Sequence, residues 1–303
     1  MKIISSRALS IKDCTHLKMH FVEGFQKMVK RNWVITGVSS GFGYEMVKQV
    51  LSRGDNVLGT VRKTRPVEEL IARYPDNFHV EIVDMRDRKA VTQLGQKAEE
   101  LFSTIDVIVS NAGYGLFGAA EELSDDEIDD IIATNLTGSI DFIRAFLPIM
   151  RKKQHGRIIQ ISSYGGEVAF AGNSLYHATK WGIEGFCDSL SQEMAPFNIG
   201  VTIVEPGGAR TEFRYKSAKI AKPIKAYDNT PAHACQKMLD RKNGLAAGDP
   251  ERMAARIIES VDITPAPLRM VLGSGALKTT IEVLKKRLED FKGQEQLAAS
   301  TDF

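Results

Sequence analysis

An apolar run that breaks into glycines and resumes as an amphipathic stretch, NWVITGVSSGFGYEMVKQVLSRG, narrows the folds open to this chain more than any other feature. Val34 and Ile35 belong to a short β-prone run, and Met46, Val47, Val50 and Leu51 recur at helical spacing. The segment reads as strand, tight turn and helix. Gly37, Gly41 and Gly43 stand at the join, where missing Cβ atoms let a pyrophosphate approach the backbone and the helix N-terminus, with Ser39, Ser40 and Phe42 completing the cradle. Glycines that only punctuate a turn are the alternative. A strand before and a helix after favour the phosphate reading.

The alternation continues along the chain. NVLGTV, FHVEIVD, IDVIVS, RIIQISS, GVTIVE and LRMVLG are strand-like, with helical stretches between most of them, giving seven strands in all. This pattern implies a parallel sheet covered on both faces. Ser124 with Glu127 is a capping-box signature ahead of a long helix, and Asp249-Pro250 marks another helix start. The predicted fold is α/β: a Rossmann-like, doubly wound, seven-stranded parallel sheet with helices on both faces, in a single domain. Ligands are then expected at the carboxyl ends of the strands.

Charge and cysteine content exclude several function classes. Forty basic and thirty-eight acidic residues leave a net charge of +2 with no long basic block, so no nucleic-acid partner is implied. Cys14, Cys187 and Cys235 are widely spaced and form no CxxC, which argues against a disulfide framework or a metal site and makes a reducing cytoplasm the default location. No apolar run approaches the ~20 residues that cross a bilayer. The first residues lack the sustained apolar segment of a signal peptide, so the reading is a soluble protein with no membrane partner. Residues 1–27 are read as a poorly ordered N-terminal extension, with the domain at 28–303.

Proton-transfer chemistry is written in LYHATKWGIEGF. Tyr176 and Lys180 are four residues apart, on one face of a helix, and Ser163 lies thirteen residues upstream of Tyr176. An unperturbed tyrosine titrates near ~10, and a nearby cation favours its anion. A Tyr-x-x-x-Lys pair alone is also what an ordinary helix surface offers.

TGVSSGFG, the SNAG at 110–113, Asn135, Ser163 and the Tyr176/Lys180 pair, in that order, resemble the short-chain dehydrogenase/reductase family over residues 32–273. The glycine spacing resembles its compact branch. YGLFGAAEELSDDE and SLYHATKWGIEGF resemble bacterial-type oxidoreductases of unassigned substrate and, more loosely, hydroxysteroid and retinol dehydrogenases. The resemblance implies hydride transfer between a nicotinamide cofactor and a carbonyl compound or secondary alcohol. Tyr176 would be general acid in reduction and general base in oxidation, with Lys180 depressing its pKa and holding the nicotinamide ribose. Ser163 would hydrogen-bond the substrate oxygen, while Asn135 would kink a helix and fix a water. Asp84 and Met85 would lie near the adenine, Asn111, Ala112 and Gly113 along its ribose, and Pro206, Gly207, Ala209 and Thr211 beside the cofactor. Ser110 replaces the family's second asparagine, so a different hydrogen bond is expected to hold that turn.

Cofactor choice is argued from the end of the second strand. Val61 is followed by Arg62, with Lys63 and Arg65 close behind and no acid, which favours NADP(H) over NAD(H). Tyr114, Phe117, Val168 and Phe170 are read as lining an apolar substrate pocket, core packing being the alternative. His177 is assigned to packing or surface. Residues 211–248 occupy the family's variable substrate lid and are expected to be mobile before ligand binds. Relatives pair through helices around 123–150 and 174–195, so a homodimer or homotetramer is expected. A regulator that binds NADP(H) without turnover is the competing reading.

Overall fold

The structure, a computed structural model, describes residues 30–213, 217–239 and 245–303. The extension expected at 1–27, including Cys14, lies outside the described residues, as do Arg214, Tyr215 and Lys216 of the lid.

Each predicted strand forms. β1 (Asn32–Ile35), α1 (Gly41–Ser52), β2 (Asn56–Val61), α2 (Glu68–Arg73), β3 (Phe78–Ile82), α3 (Arg88–Phe102) and β4 (Val107–Ser110) make one half of the sheet with its helices. A two-residue strand β5 (Leu116–Phe117) precedes α4 (Asp125–Ile132), α5 (Gly138–Lys153), β6 (Gly156–Ile161), α6 (Ser174–Met194) and β7 (Ile199–Pro206). Then follow β8 (Lys219–Ile220), α7 (Pro231–Ala234), α8 (Pro250–Glu259), β9 (Arg269–Leu272), α9 (Ser274–Lys292) and α10 (Glu295–Ala299). Seven strands pair in the order β3-β2-β1-β4-β6-β7-β9, every described pairing parallel.

Side-chain alternation splits the core into two layers. Trp33 and Ile35 join Met46, Val50, Ala254 and Ile257 on the α1/α8 face, whereas Val34 joins Val91, Phe142, Phe146 and Ile183 on the α3/α5/α6 face. The strand order reverses between β2-β1 and β4-β6. The crevice at that switch, at the carboxyl ends of β1 and β4, is where an open α/β sheet places its ligands. No helix among the described residues is long and apolar enough to cross a membrane.

Capping follows the sequence. The Ser124 hydroxyl accepts from the Glu127 amide while the Glu127 carboxylate accepts from Ser124, and the Asp249 carboxylate accepts from the amides of Glu251 and Arg252. The single long helix expected after Leu123 is instead α4 and α5 joined by a π-helical turn at Ala133–Thr137. Asn135, within that turn, is spent on another part of the chain: its Oδ1 accepts from the Tyr114 amide at 3.0 Å and its Nδ2 donates to the Tyr114 carbonyl at 2.8 Å. Such turns recur at functional sites.

Candidate active site

A cleft of about 670 Å³ runs over the switch point and gathers residues from every part of the chain that the sequence singled out. Its floor begins at the β1–α1 turn. Gly37 and Gly41 have φ of +71° and +59°, the left-handed region that favours glycine. Gly43 lies beneath the turn, outside the cleft wall: a Cβ there would stand 2.4 Å from the Gly37 carbonyl oxygen and 2.6 Å from Asn111 Nδ2, so only glycine lets α1 pack this close. Ser39, Ser40, Gly41 and Phe42 line the cleft. Ser40 occupies the N-cap of α1 without a side-chain cap, which leaves the helix end open toward an anion.

The neighbouring turn is held by a residue the sequence reading passed over. Thr36 Oγ1 accepts from the amides of Asn111 and Ala112 at 2.9 and 3.0 Å, and Asn111 Nδ2 donates to the Thr36 carbonyl at 2.8 Å. Ser110, buried with its hydroxyl unpartnered among the described residues, contributes nothing to it. The expected substitute hydrogen bond therefore comes from Thr36, which directly precedes Gly37 in the motif.

At the other end of the cleft lie Arg62, Asp84 and Met85. Asp84 is gripped by Arg86, whose Nη2 stands 2.7 Å from its Oδ2, and this guanidinium holds its carboxyl below the usual range. Arg86 also reaches Asp130 at 2.6 Å. Arg62 is exposed to the cleft and makes no ion pair among the described residues. Arg86 and Asp130 are cleft residues that sequence reasoning missed, because their spacing in the chain carries no signal of their meeting.

Ser163, Tyr176 and Lys180 converge on the middle of the cleft. The Ser163 hydroxyl accepts from the Gly165 amide at 3.0 Å and hydrogen-bonds the Tyr176 phenol. Lys180 Nζ donates to the Ile161 carbonyl at 3.0 Å and lies 5.7 Å from the centroid of the Tyr176 ring. Burial pushes the phenol up to about 12, the Ser163 hydroxyl pulling the other way, and burial pushes the Lys180 ammonium down to about 8. The expected lowering of the Tyr176 pKa by Lys180 is therefore not what the chain alone provides. Desolvation outweighs a cation that faces a backbone carbonyl. Ser162 turns away, as alternation predicts, and donates to Glu184 Oε1 at 2.5 Å.

Further corrections concern the pocket walls. Val168 is 2% exposed and does not reach the cleft, so it is core. Asn135 is likewise buried beneath the cleft. Tyr114, Phe117 and Phe170 do line it, together with Phe213, whose ring centroid is 6.1 Å from that of Tyr176. His177 is neither surface nor idle packing. Its Nε2 accepts from the Phe170 amide at 3.0 Å, which leaves Nδ1 to donate to the Gly165 carbonyl at 2.7 Å, and burial lowers its pKa. One imidazole thus joins the loop after Ser163 to the wall at Phe170. A helix neighbour of Tyr176 points about 100° away from it, and that direction leads to this loop. Ala112, Gly113, Pro206, Gly207, Ala209 and Thr211 close the cleft roof.

Comparison with known proteins bears on the family and the fold. A family model described as short chain dehydrogenase matches residues 31–221. Oxidoreductase BOA17 of Botryotinia fuckeliana is 32% identical over 247 residues, 81% of this chain and 90% of that one. Human 17-beta-hydroxysteroid dehydrogenase type 1 is 28% identical over 284 residues, covering 88% and 83%. The crystal structure of a short-chain dehydrogenase from Streptomyces avermitilis superposes with a TM-score of 0.85 at 33% identity, covering 91% of this chain and all of that one. With its seven parallel strands, its glycine turn and its Tyr176/Lys180 helix, the chain belongs to the short chain dehydrogenase family.

Proposed function

We propose that this oxidoreductase is NADP(H)-dependent and interconverts a carbonyl compound and a secondary alcohol, with Tyr176 as its proton donor and acceptor. The observation that carries the reading is the convergence of Ser163, Tyr176 and Lys180 on one cleft with the open α1 end and an Arg62 that makes no ion pair among the described residues. The cleft fits a dinucleotide on three counts: a glycine turn at a helix N-terminus for the pyrophosphate, no acid at the end of β2, and cationic Arg62 for a 2′-phosphate. Ser39, Ser40 and Gly41 would hold the pyrophosphate, and Asn111 to Gly113 would border the adenosine ribose. When bound, the nicotinamide supplies or accepts the hydride at the substrate carbon.

The chain's own residues handle the proton. Tyr176, protonated at neutral pH, gives its proton to the carbonyl oxygen as the C–O double bond becomes single, and takes it back in oxidation. Ser163 donates to that oxygen as negative charge grows on it. The Lys180 ammonium stabilises the phenolate left behind, a benefit realised only as the proton departs. Asn135 ties Tyr114 of the 113–115 loop to the turn between α4 and α5. Self-association through the helices of 123–150 and 174–195, in a reducing cytoplasm where buried Cys187 and Cys235 stay thiols, completes the proposal.

Titration with both cofactors, followed by turnover of a ketone panel, tests it. NADPH is expected to bind at least about tenfold more tightly than NADH, an advantage of ~1.4 kcal/mol or more that Arg62→Glu reverses. Tyr176→Phe is expected to cut turnover by about 10² to 10⁴ while NADPH binding persists. Cofactor binding with no turnover of any carbonyl would favour a nucleotide-sensing regulator instead.

A further inference from the structure

Asn173 is a buried amide without a structural task. It is 5% exposed and stands at the N-cap of α6, yet its side chain makes no cap hydrogen bond and its Oδ1 has no partner among the described residues. An asparagine at that position ordinarily accepts from the first-turn amides, a contact worth ~1 kcal/mol. A buried polar atom left unmet costs about 1–3 kcal/mol. The fold thus forgoes stabilisation twice at one side chain, and that side chain lines the cleft.

Its place along α6 says what it faces. Asn173, Tyr176 and Lys180 follow one another at i, i+3 and i+7 on one helix face. At ~1.5 Å of rise per residue, Asn173 lies about 4.5 Å beyond Tyr176, on the side opposite Lys180. Lys180 reaches back to the end of β6, where the strands present the nucleotide site, so Asn173 stands at the substrate end. The segment before it is pinned: the Gly172 carbonyl accepts from the Gly118 amide at 2.9 Å, and Cys235 lies against it. The same cleft is lined by the rings of Phe117, Phe170 and Phe213, the last two lying against His177 and Tyr176, in the first turn of α6. A buried, unmet amide in a cleft that also carries aromatic walls, one turn from the proton donor, is a selector for a second polar group on an apolar ligand.

We propose that Asn173 is a specificity-determining residue, pairing with a hydroxyl about one helical turn from the reacting oxygen, so that the favoured substrate is an apolar β-hydroxy ketone or the corresponding diol. A hydroxyl can both donate to Oδ1 and accept from Nδ2, so it serves the amide in either orientation. The inference rests on the redox reading of the site given above. A monoketone of the same shape leaves the amide unmet and is discriminated against by the same physics that lets polar pockets reject deoxy analogues.

The test compares 4-hydroxy-4-phenyl-2-butanone with 4-phenyl-2-butanone, each with NADPH, in the wild type and in Asn173→Leu and Asn173→Ala. The ratio of kcat/KM for the hydroxylated over the plain ketone is expected to be at least about tenfold in the wild type and to fall to about one in both variants. A merely structural role would lower both rates in proportion and leave the ratio where it was, which overturns the proposal. A wild-type ratio near one overturns it too while leaving the redox reading standing. Failure of either ketone to turn over, with Tyr176→Phe indistinguishable from wild type, removes the redox reading and this inference together.

Discussion

Burial acts on Tyr176 and Lys180 in opposite directions because it disfavours the charged form of each, the phenolate in one case and the ammonium in the other. Tyr176 thereby stays protonated across the neutral range, and Lys180, pushed down to about 8, is the group of the pair that changes state first as pH rises. Loss of its charge removes the stabilisation of the departing phenolate. Reductive kcat/KM, which reports groups of the free enzyme, is therefore expected to be level through neutrality and to fall above about pH 8. Glu184 sits one turn beyond Lys180, and its carboxylate favours the ammonium, opposing burial. Glu184→Gln should accordingly move the inflection to lower pH. A pH-rate profile unchanged in that variant would detach Lys180 from the titration. Sequence alone showed the i, i+4 pairing of Tyr176 with Lys180 but not which perturbation dominates, since burial is a property of the folded cleft. His177 escaped for a related reason: its two ring nitrogens meet the loop at Gly165 and Phe170, a contact that only the folded chain brings together.

The strands were readable because each is a run of four to eight mostly apolar residues between turn signals, and the core-facing alternation follows from that pattern. β5 and β8, two residues each, carry no periodicity to read. The segment expected to be a mobile lid shows why this matters. Its described part is fastened, with Lys219 and Ala221 amides donating to the Gly115 and Phe117 carbonyls. Glu122 is the main fastening. In AAEELSDDE it resembles one more solvated acid, yet its side chain is fully buried: one oxygen accepts from the Ala119 amide at 2.7 Å, and the other meets the Ile224 amide at 2.7 Å and His233 Nε2 at 2.6 Å. These contacts hold its carboxyl below the usual range despite the desolvation that opposes them. Glu122→Ala leaves several buried donors unmet and should cost about 3 kcal/mol. Because Ile224 and His233 lie in the lid, limited proteolysis within 217–239 is expected to accelerate at least about tenfold, and KM for the ketone to rise with NADPH affinity little changed. Equal proteolysis of variant and wild type would show that the lid is held elsewhere.

Across the whole molecule, the edge strand β9 is tied through charge to α6, the helix that carries Tyr176 and Lys180. Arg269 meets Glu184 at 2.7 Å, Glu205 at 3.0 Å, Glu167 at 2.6 Å and Asp188 at 3.1 Å, joining β9, β7, α6 and the loop after Ser163. That loop is close enough for a Cβ on Gly166 to fall 1.8 Å from Glu184 Oε1. Arg287 adds a second guanidinium 3.7 Å from Glu167, which still leaves four carboxylates against two cations, and burial, reinforced by Glu184, pushes Glu205 up to about 7. Glu205 is 1% exposed, so water does little to relieve it. Its folded pKa lies above its ordinary value of ~4.3, so folding takes up a proton between those two pH values. The stability it contributes is full below the lower value and is lost as pH rises through about 7. Asp84 and Glu122 have depressed pKa values and act oppositely: their contribution is present above the ordinary carboxylate range and is lost only in acid, so the two windows separate. Chemical denaturation should therefore show the unfolding free energy falling by about 2 kcal/mol between pH 5 and pH 8 on account of Glu205. Glu205→Gln keeps an oxygen for Arg269 and removes the titration, so its stability should vary less over that range and exceed the wild type at pH 8. A variant whose pH dependence matches the wild type would place the proton taken up on folding on another carboxylate of the cluster, with Glu184, also raised by burial, the next to substitute.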